Sequence, residues 1–332
     1  MKKWLSPGLV PLIFCAGALH ADKRPTPMKG PWFTGPLITG SAYMIPKDNF
    51  NVEPYIYVTR NRGSYDENWN KVSSLKFWST LFQLPMQVGL NPWMEVTLTP
   101  QVFHNRIDAD PSLGISAATS TQFADFYAQL GIQIIRAKEE DWYPSIGFQI
   151  TETFPTGRYD DLDPLKSKMD VGGAGAYATS FTLLFSKLFH INGKHGYLST
   201  RGSVSYTVAP ELSVREFNSY GGGFGTRGHV HPGHILQGLI GLEYALTLNW
   251  VVAMDLDYIH INKSTFKGNP GILSPGVPAT VGYHSSEQFS LAPGLEYNFS
   301  ERIGVIAGVW FSVLGRNQLD FTAGVAAFNW YY

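Results

Sequence analysis

Seven carboxylates and one guanidinium stand on segments whose alternate positions are apolar: Glu53, Glu95, Asp125, Glu243, Asp255, Asp257 and Glu296, with Arg201. Such groups prefer water or one another to hydrocarbon, so the face that carries them must be wet or internally paired. If that face encloses a passage, the excess of acids favours cations or neutral polar solutes. If it does not, the same groups are wall residues, solvated or hydrogen-bonded in place. Both readings stay open at this point. Arg201 and Glu243 lie at matching heights beside successive turns, which predicts a cross-strand pair exposed to interior water and contributing about 1 kcal/mol.

Other chemistry is sparser. His229, His231 and His234 cluster around Pro232-Gly233, at a spacing that could share a metal. The surrounding glycines supply no scaffold for ligands, so a solvated loop is the expectation. Asp160, Asp161, Asp163 and Asp170 form a carboxylate run. Its spacing matches no EF-hand and lacks the glycine such a loop needs. Nucleophile elbow, phosphate loop and HExxH helix are all missing from the sequence, and no cofactor or metal site is expected. His190 and His260 lie near segment ends without an obvious nucleophile partner.

The elements that position these groups alternate with a period of two. From Phe289 to Phe299, Phe289, Leu291, Leu295, Tyr297 and Phe299 interleave with Ser290, Ala292, Gly294, Glu296 and Asn298. This is a strand with different surroundings on its two sides. About twelve such segments follow residue 51. Their connections alternate: brief near Asn91-Pro92, 137–141, 190–196, Leu248-Asn249 and Ser300-Glu301, and long near 60–71, 104–120, 155–170, 209–230 and 262–284, with only 314–318 departing from the pattern. A sandwich has no reason to sort its loops this way, whereas an outer-membrane β-barrel has short turns at one rim and long loops at the other. The fold expected is therefore all-β: a transmembrane antiparallel barrel of about twelve strands in a bacterial outer membrane.

Residues 1–21 read as a signal peptide, with Lys2 and Lys3 before an apolar stretch and Ala21 at the cut. Residues 22–50, rich in Pro and Gly, form a periplasmic lead-in or a plug, and residues 51–332 form the barrel. Cys15 is the only cysteine, which leaves no disulfide framework after cleavage. Charged residues make up 15% of the chain and aromatics 14%, and the formal net charge is −1. That balance gives no electrostatic case for nucleic acid. A mean hydropathy of −0.08 averages an oily face with a wet one. The closing Phe328, Trp330 and Tyr332 resemble the aromatic signal read by barrel-assembly machinery. Upstream, Leu319, Phe321, Ala323 and Val325 place odd positions toward lipid, so a bulge near Ala326-Ala327 is expected where the faces exchange.

Several short stretches resemble the outer-membrane group known for the "MetA pathway of phenol degradation": Glu53-Pro54-Tyr55, Gln87-Val88-Gly89-Leu90 before Glu95, Phe154-Pro155-Thr156-Gly157-Arg158-Tyr159 and Gly315-Arg316-Asn317. The resemblance implies a barrel of this size that passes small solutes, including aromatic or hydrophobic compounds, and the leading reading is a monomeric outer-membrane channel or transporter. It brings no catalytic residue. Two other readings stand beside it: an outer-membrane enzyme acting on lipid or lipopolysaccharide, and a surface adhesin or structural barrel.

Overall fold

The computed structural model describes residues 31–110, 114–192 and 196–332, and only the backbone of Asn192. The expected signal peptide at 1–21 lies outside these residues. Twelve antiparallel strands form a closed barrel. The first comprises Phe50–Val52 and Tyr55–Tyr65, the second Phe77–Gln83 and Met86–Asn91, the third Met94–Thr99 and Gln101–Ile107, and the fourth Ala118–Phe123 and Phe126–Ile135. The fifth to eighth are Ser145–Phe154, Ala178–Asn192, Gly196–Val208 and Ile235–Ala245. The ninth to twelfth are Trp250–Ile261, Ser286–Asn298, Ile303–Arg316 and Leu319–Tyr331. Each pairs with its sequence neighbour, and the twelfth closes on the first through Val58↔Gly324 and Val52↔Trp330.

The first four strands are interrupted at one height: the first three at Pro54, Pro85 and Pro100, where proline supplies no amide, and the fourth at Ala124-Asp125. Bonds across neighbouring strands keep the wall continuous at the bends: Glu53 N–H to Pro85 O at 3.0 Å, Leu84 N–H to Pro100 O at 3.1 Å and Phe328 N–H to Pro54 O at 3.1 Å.

The burial pattern is inverted relative to a water-soluble protein. Glu243 and Glu296 are 0% exposed, whereas Ile240 on the outer surface is 54% exposed. Large apolar side chains such as Ile56, Phe82, Leu98, Phe181, Leu256 and Leu295 also stand exposed on the outside. Only hydrocarbon makes such a surface stable, and only a closed barrel hides every strand edge from it. Aromatics mark both limits of the band. Trp250 packs on Tyr297 at 4.7 Å near the turns, and Tyr258 on Phe289 at 4.6 Å toward the loops.

The exchange of faces expected near Ala326-Ala327 does not occur. Register runs without a shift from Val325 through Phe328 against both neighbouring strands. From Phe321 onward odd positions of the twelfth strand face inward, and Ala323, Val325 and Ala327 are buried there in an apolar cluster with Leu37, while Leu319 stands exposed. The apolar character of Phe321, Ala323 and Val325 pointed to lipid, but it serves an internal contact. The shift lies instead in the first strand, between Asn61 and Gly63.

The two longest outer loops fold together. Leu212–Arg215, Arg227–His231 and Thr265–Asn269 form a three-stranded sheet beyond the wall.

Candidate functional site

Residues 31–49 run inside the barrel as a strap against the inner wall. They pass backward around the barrel, from the tenth strand to the first. Thr34 N–H donates to Glu296 Oε1, and Asn298 Nδ2 donates to Trp32 O at 2.9 Å. Thr39 donates its N–H (3.0 Å) and its hydroxyl (2.5 Å) to Asp255, and Ile38 N–H adds a third bond at 3.3 Å. Further along, Ala42 N–H meets Ser186 Oγ at 2.9 Å, Met44 N–H meets Gln133 Oε1 at 3.2 Å and Ile45 N–H meets Glu95 Oε2 at 2.7 Å. Arg136 holds Met44 O at 2.9 Å, and Asn49 reaches Tyr331 OH at 2.8 Å.

A strap without strand pairing exposes its own amides, and inward side chains accept most of these bonds. Leu37 supplies the apolar anchor, buried among Ala253, Ala292, Ile306, Ala323, Val325 and Ala327. Between these acceptors the strap lies so close that several inward positions beneath it are glycines. A Cβ at Gly131 would stand 2.5 Å from Met44 Sδ, and one at Gly89 would strike the Pro46 carbonyl.

The eight residues singled out by sequence divide into two sets. Glu53, Glu95, Asp125 and Arg201 border the open interior. Glu53 accepts from Tyr55 OH at 2.9 Å. Asp125 ties down the outer loop 155–177 by accepting Gly157 N–H at 3.0 Å and Ala174 N–H at 2.9 Å. Glu243, Asp255, Asp257 and Glu296 do not border it. Asp255 and Glu296 are spent on the strap, and Asp257 on Gln237 (2.8 Å) and Ser290 (2.9 Å).

Arg201 and Glu243 meet at 2.9 Å, with Glu243 also accepting from Ser199 at 2.9 Å. Glu243 is buried, and Arg201, packed beside Gly35, keeps only an edge at the cavity, so loss of either partner would leave a desolvated charge. Glu243 Oε1 and Glu296 Oε2 are buried without a hydrogen-bond partner among the described residues.

Beside the strap a cavity of about 2340 Å³ extends to both rims. It touches Lys138, Glu301, Arg302 and Tyr332 at the turn end, and Tyr220, Pro232, Asn262 and Tyr283 at the loop end. Between them the lining is largely neutral: Thr97, Thr99, Thr151, Thr153, Thr182, Ser203 and Ser205 with Gln129, Gln149 and Gln237, and the apolar Leu81, Phe103, Leu188 and Leu239. At the mouth, Tyr220 and Tyr283 stand 6.2 Å apart, with Lys168 Nζ 5.8 Å from the Tyr283 ring. Burial holds both phenols above their ordinary range, so they present neutral hydroxyls.

The histidines are dispersed in local contacts: His234 with Tyr206 OH at 2.7 Å and His229 with Ser213 Oγ at 3.3 Å. The carboxylate run is taken up by Arg158, which meets Asp170 at 3.2 Å, and by Arg215, which meets Asp161 at 2.9 Å. No group of three metal-binding side chains converges among the described residues. Among the described residues His260 contacts Glu287 and Asn262, each at 2.9 Å, and no hydroxyl nucleophile.

Sequence reasoning missed the strap's partners Ser186, Gln133 and Arg136. The available signal was the inward row of small residues, including Gly131, Gly147, Gly241, Gly294 and Gly308, opposite a Pro- and Gly-rich lead-in.

No family model and no curated protein matches this chain. Among solved structures it resembles the COG4313 outer membrane channel from Pseudomonas putida F1, with a TM-score of 0.66 at 13% identity, covering 88% of this chain and 98% of that one. The likeness is one of fold, a closed antiparallel β-barrel. The translocator domain of the autotransporter NalP from Neisseria meningitidis gives a TM-score of 0.41 at 13% identity, over 85% of this chain and 88% of that one. The toluene transporter TodX of Pseudomonas putida gives 0.37 at 10% identity, over 87% and 90%. The last two superpose too loosely to inform this chain.

Proposed function

We propose that this protein is a monomeric channel of the bacterial outer membrane that passes small, neutral, partly apolar molecules. The observation that carries this reading is a cavity that reaches both rims among the described residues, lined by hydroxyls, amides and aliphatic carbons. Four of the inward carboxylates are withdrawn from that cavity, which weakens the case for a cation-selecting pore. The resemblance to the phenol-degradation group supports a solute that combines an apolar body with a hydrogen-bonding edge, and the Pseudomonas putida protein of similar fold is titled an outer membrane channel. In this reading the terminal Trp330 and Tyr332, packed around Phe50 at 5.6 Å and 5.3 Å, are also the strand that assembly machinery receives.

Liposomes loaded with the purified protein test the proposal. Small neutral aromatics such as benzyl alcohol should equilibrate faster than in protein-free liposomes, and charged analogues of similar size more slowly than the neutral ones. Equal rates with and without protein, together with silent planar bilayers, would refute a channel.

A further inference from the structure

The outward surface of the first four strands is graded along the membrane normal. Ile56, Phe82, Val102 and Phe123 form an apolar row in register. One row nearer the loops stand Val58, Thr80, His104 and Thr121, and the next is Arg60, Trp78, Arg106 and Thr119. Rows lie about 7 Å apart, and Arg60 and Arg106 are about 10 Å apart on either side of Trp78. All four members of the last row are exposed, as is Lys76 just beyond it. The Arg60 guanidinium carbon lies 5.4 Å from the Trp78 ring centroid.

Neutralisation differs around the rim. On the far side, Glu287 accepts from both His260 (2.9 Å) and Arg316 (3.2 Å). Arg62 and Lys71 share Asp320, at 2.8 Å and 3.3 Å. Arg60 and Lys76 make no ion pair among the described residues, and Arg106 pairs only with the exposed neighbour Asp108 at 2.7 Å. The cationic surplus therefore sits directly above a hydrocarbon-facing surface, flanking an indole.

We propose that this face binds the phosphorylated head of an outer-leaflet glycolipid of the lipid A type. The inference rests on the outer-membrane reading, with the long loops outward. Guanidinium forks match phosphate oxygens, and an indole at the boundary presents an apolar face with a polar edge. Phosphate would sit between Arg60, Arg106 and Lys76, a sugar ring over Trp78, and acyl chains along Phe82, Val102 and Phe123. A phospholipid with one phosphate satisfies the cations less completely and offers Trp78 no ring.

Native mass spectrometry of the full chain in detergent tests this, using bisphosphorylated lipid A, its phosphate-free form with the same acyl chains, and phosphatidylglycerol. Bisphosphorylated lipid A should bind about tenfold tighter than either of the others. R60Q/K76Q/R106Q should bring the ratio to about unity, while K267Q, at a cation in the outer loop sheet, should leave it unchanged. Equal binding of the phosphate-free form, equal binding of phosphatidylglycerol, or selectivity retained by the triple variant would overturn the proposal. If the triple variant fails the heat-shift test of barrel folding, the unaltered protein decides: raising salt from about 50 to about 500 mM must erode the preference. Pore activity of the same preparations is a separate readout, so a failed channel and a failed lipid site are distinguishable.

Discussion

Replacing Asp255 by Asn removes the strap's central acceptor while preserving shape. Asp255 Oδ1 accepts twice from Thr39, and Oδ2 accepts Ile38 N–H at 3.3 Å. Bonds to a charged acceptor contribute about 1.5–3 kcal/mol each, and neutral ones about 0.5–1.5. Asparagine would weaken the two Thr39 bonds by about 1 kcal/mol each and turn an amide donor toward Ile38 N–H, which costs about 1–3 kcal/mol more. Local relaxation recovers part of this, so about 3 kcal/mol remains, or roughly a hundredfold more chains with the strap detached. The assay is the labelling rate of Ile38→Cys by a membrane-impermeant maleimide, in a background where Cys15, the sole native cysteine, is replaced. Conductance is read in parallel. An unchanged labelling rate would refute the assignment of Asp255 as the holding residue. A change in ion selectivity without faster labelling would return Asp255 to a pore-lining role.

Gly89→Ala should lower the temperature at which the folded barrel loses its compact electrophoretic form, because the new Cβ meets the Pro46 backbone and displaces the strap. Trp330→Ala with Tyr332→Ala should slow membrane assembly in cells, measured as folded barrel in outer-membrane fractions, since the ring contacts to Phe50 at the closing seam are lost. Asp66, in the loop after the first strand, is held below the usual aspartate range, chiefly by the Asn70 amide and also by that of Asn68. A carboxylate with a depressed folded value stabilises above its unfolded value, near about 4, and loses that contribution as pH falls through the folded one. Hydrogen exchange at Asn68 and Asn70 should therefore quicken, beyond the intrinsic pH trend, only at acid pH, and Asp66→Asn should abolish that step.

The wall was legible because two solvents impose a two-residue period, and because turns and loops sort by rim. The strands from Trp250 and from Ser286 show both signals plainly. The interior was harder to read, because an inward apolar residue looks like a lipid-facing one when a second layer covers it. Ala323 and Val325 misled for this reason. Charge was ambiguous in the same way: Asp255 and Glu296 do face inward, yet they serve the strap's amides instead of the cavity. Sequence spacing reports which face a side chain occupies, but it carries no information on what lies against that face.

Because the strap leaves the start of the first strand and reaches the tenth, its best anchors come from opposite ends of the polypeptide. Thr34 is made early and waits for Glu296, 262 positions later. The aperture thus acquires its final bore only when the last strands arrive, so a half-built cylinder would be wider and leakier than the finished one. Sealing the seam and narrowing the conduit become one event.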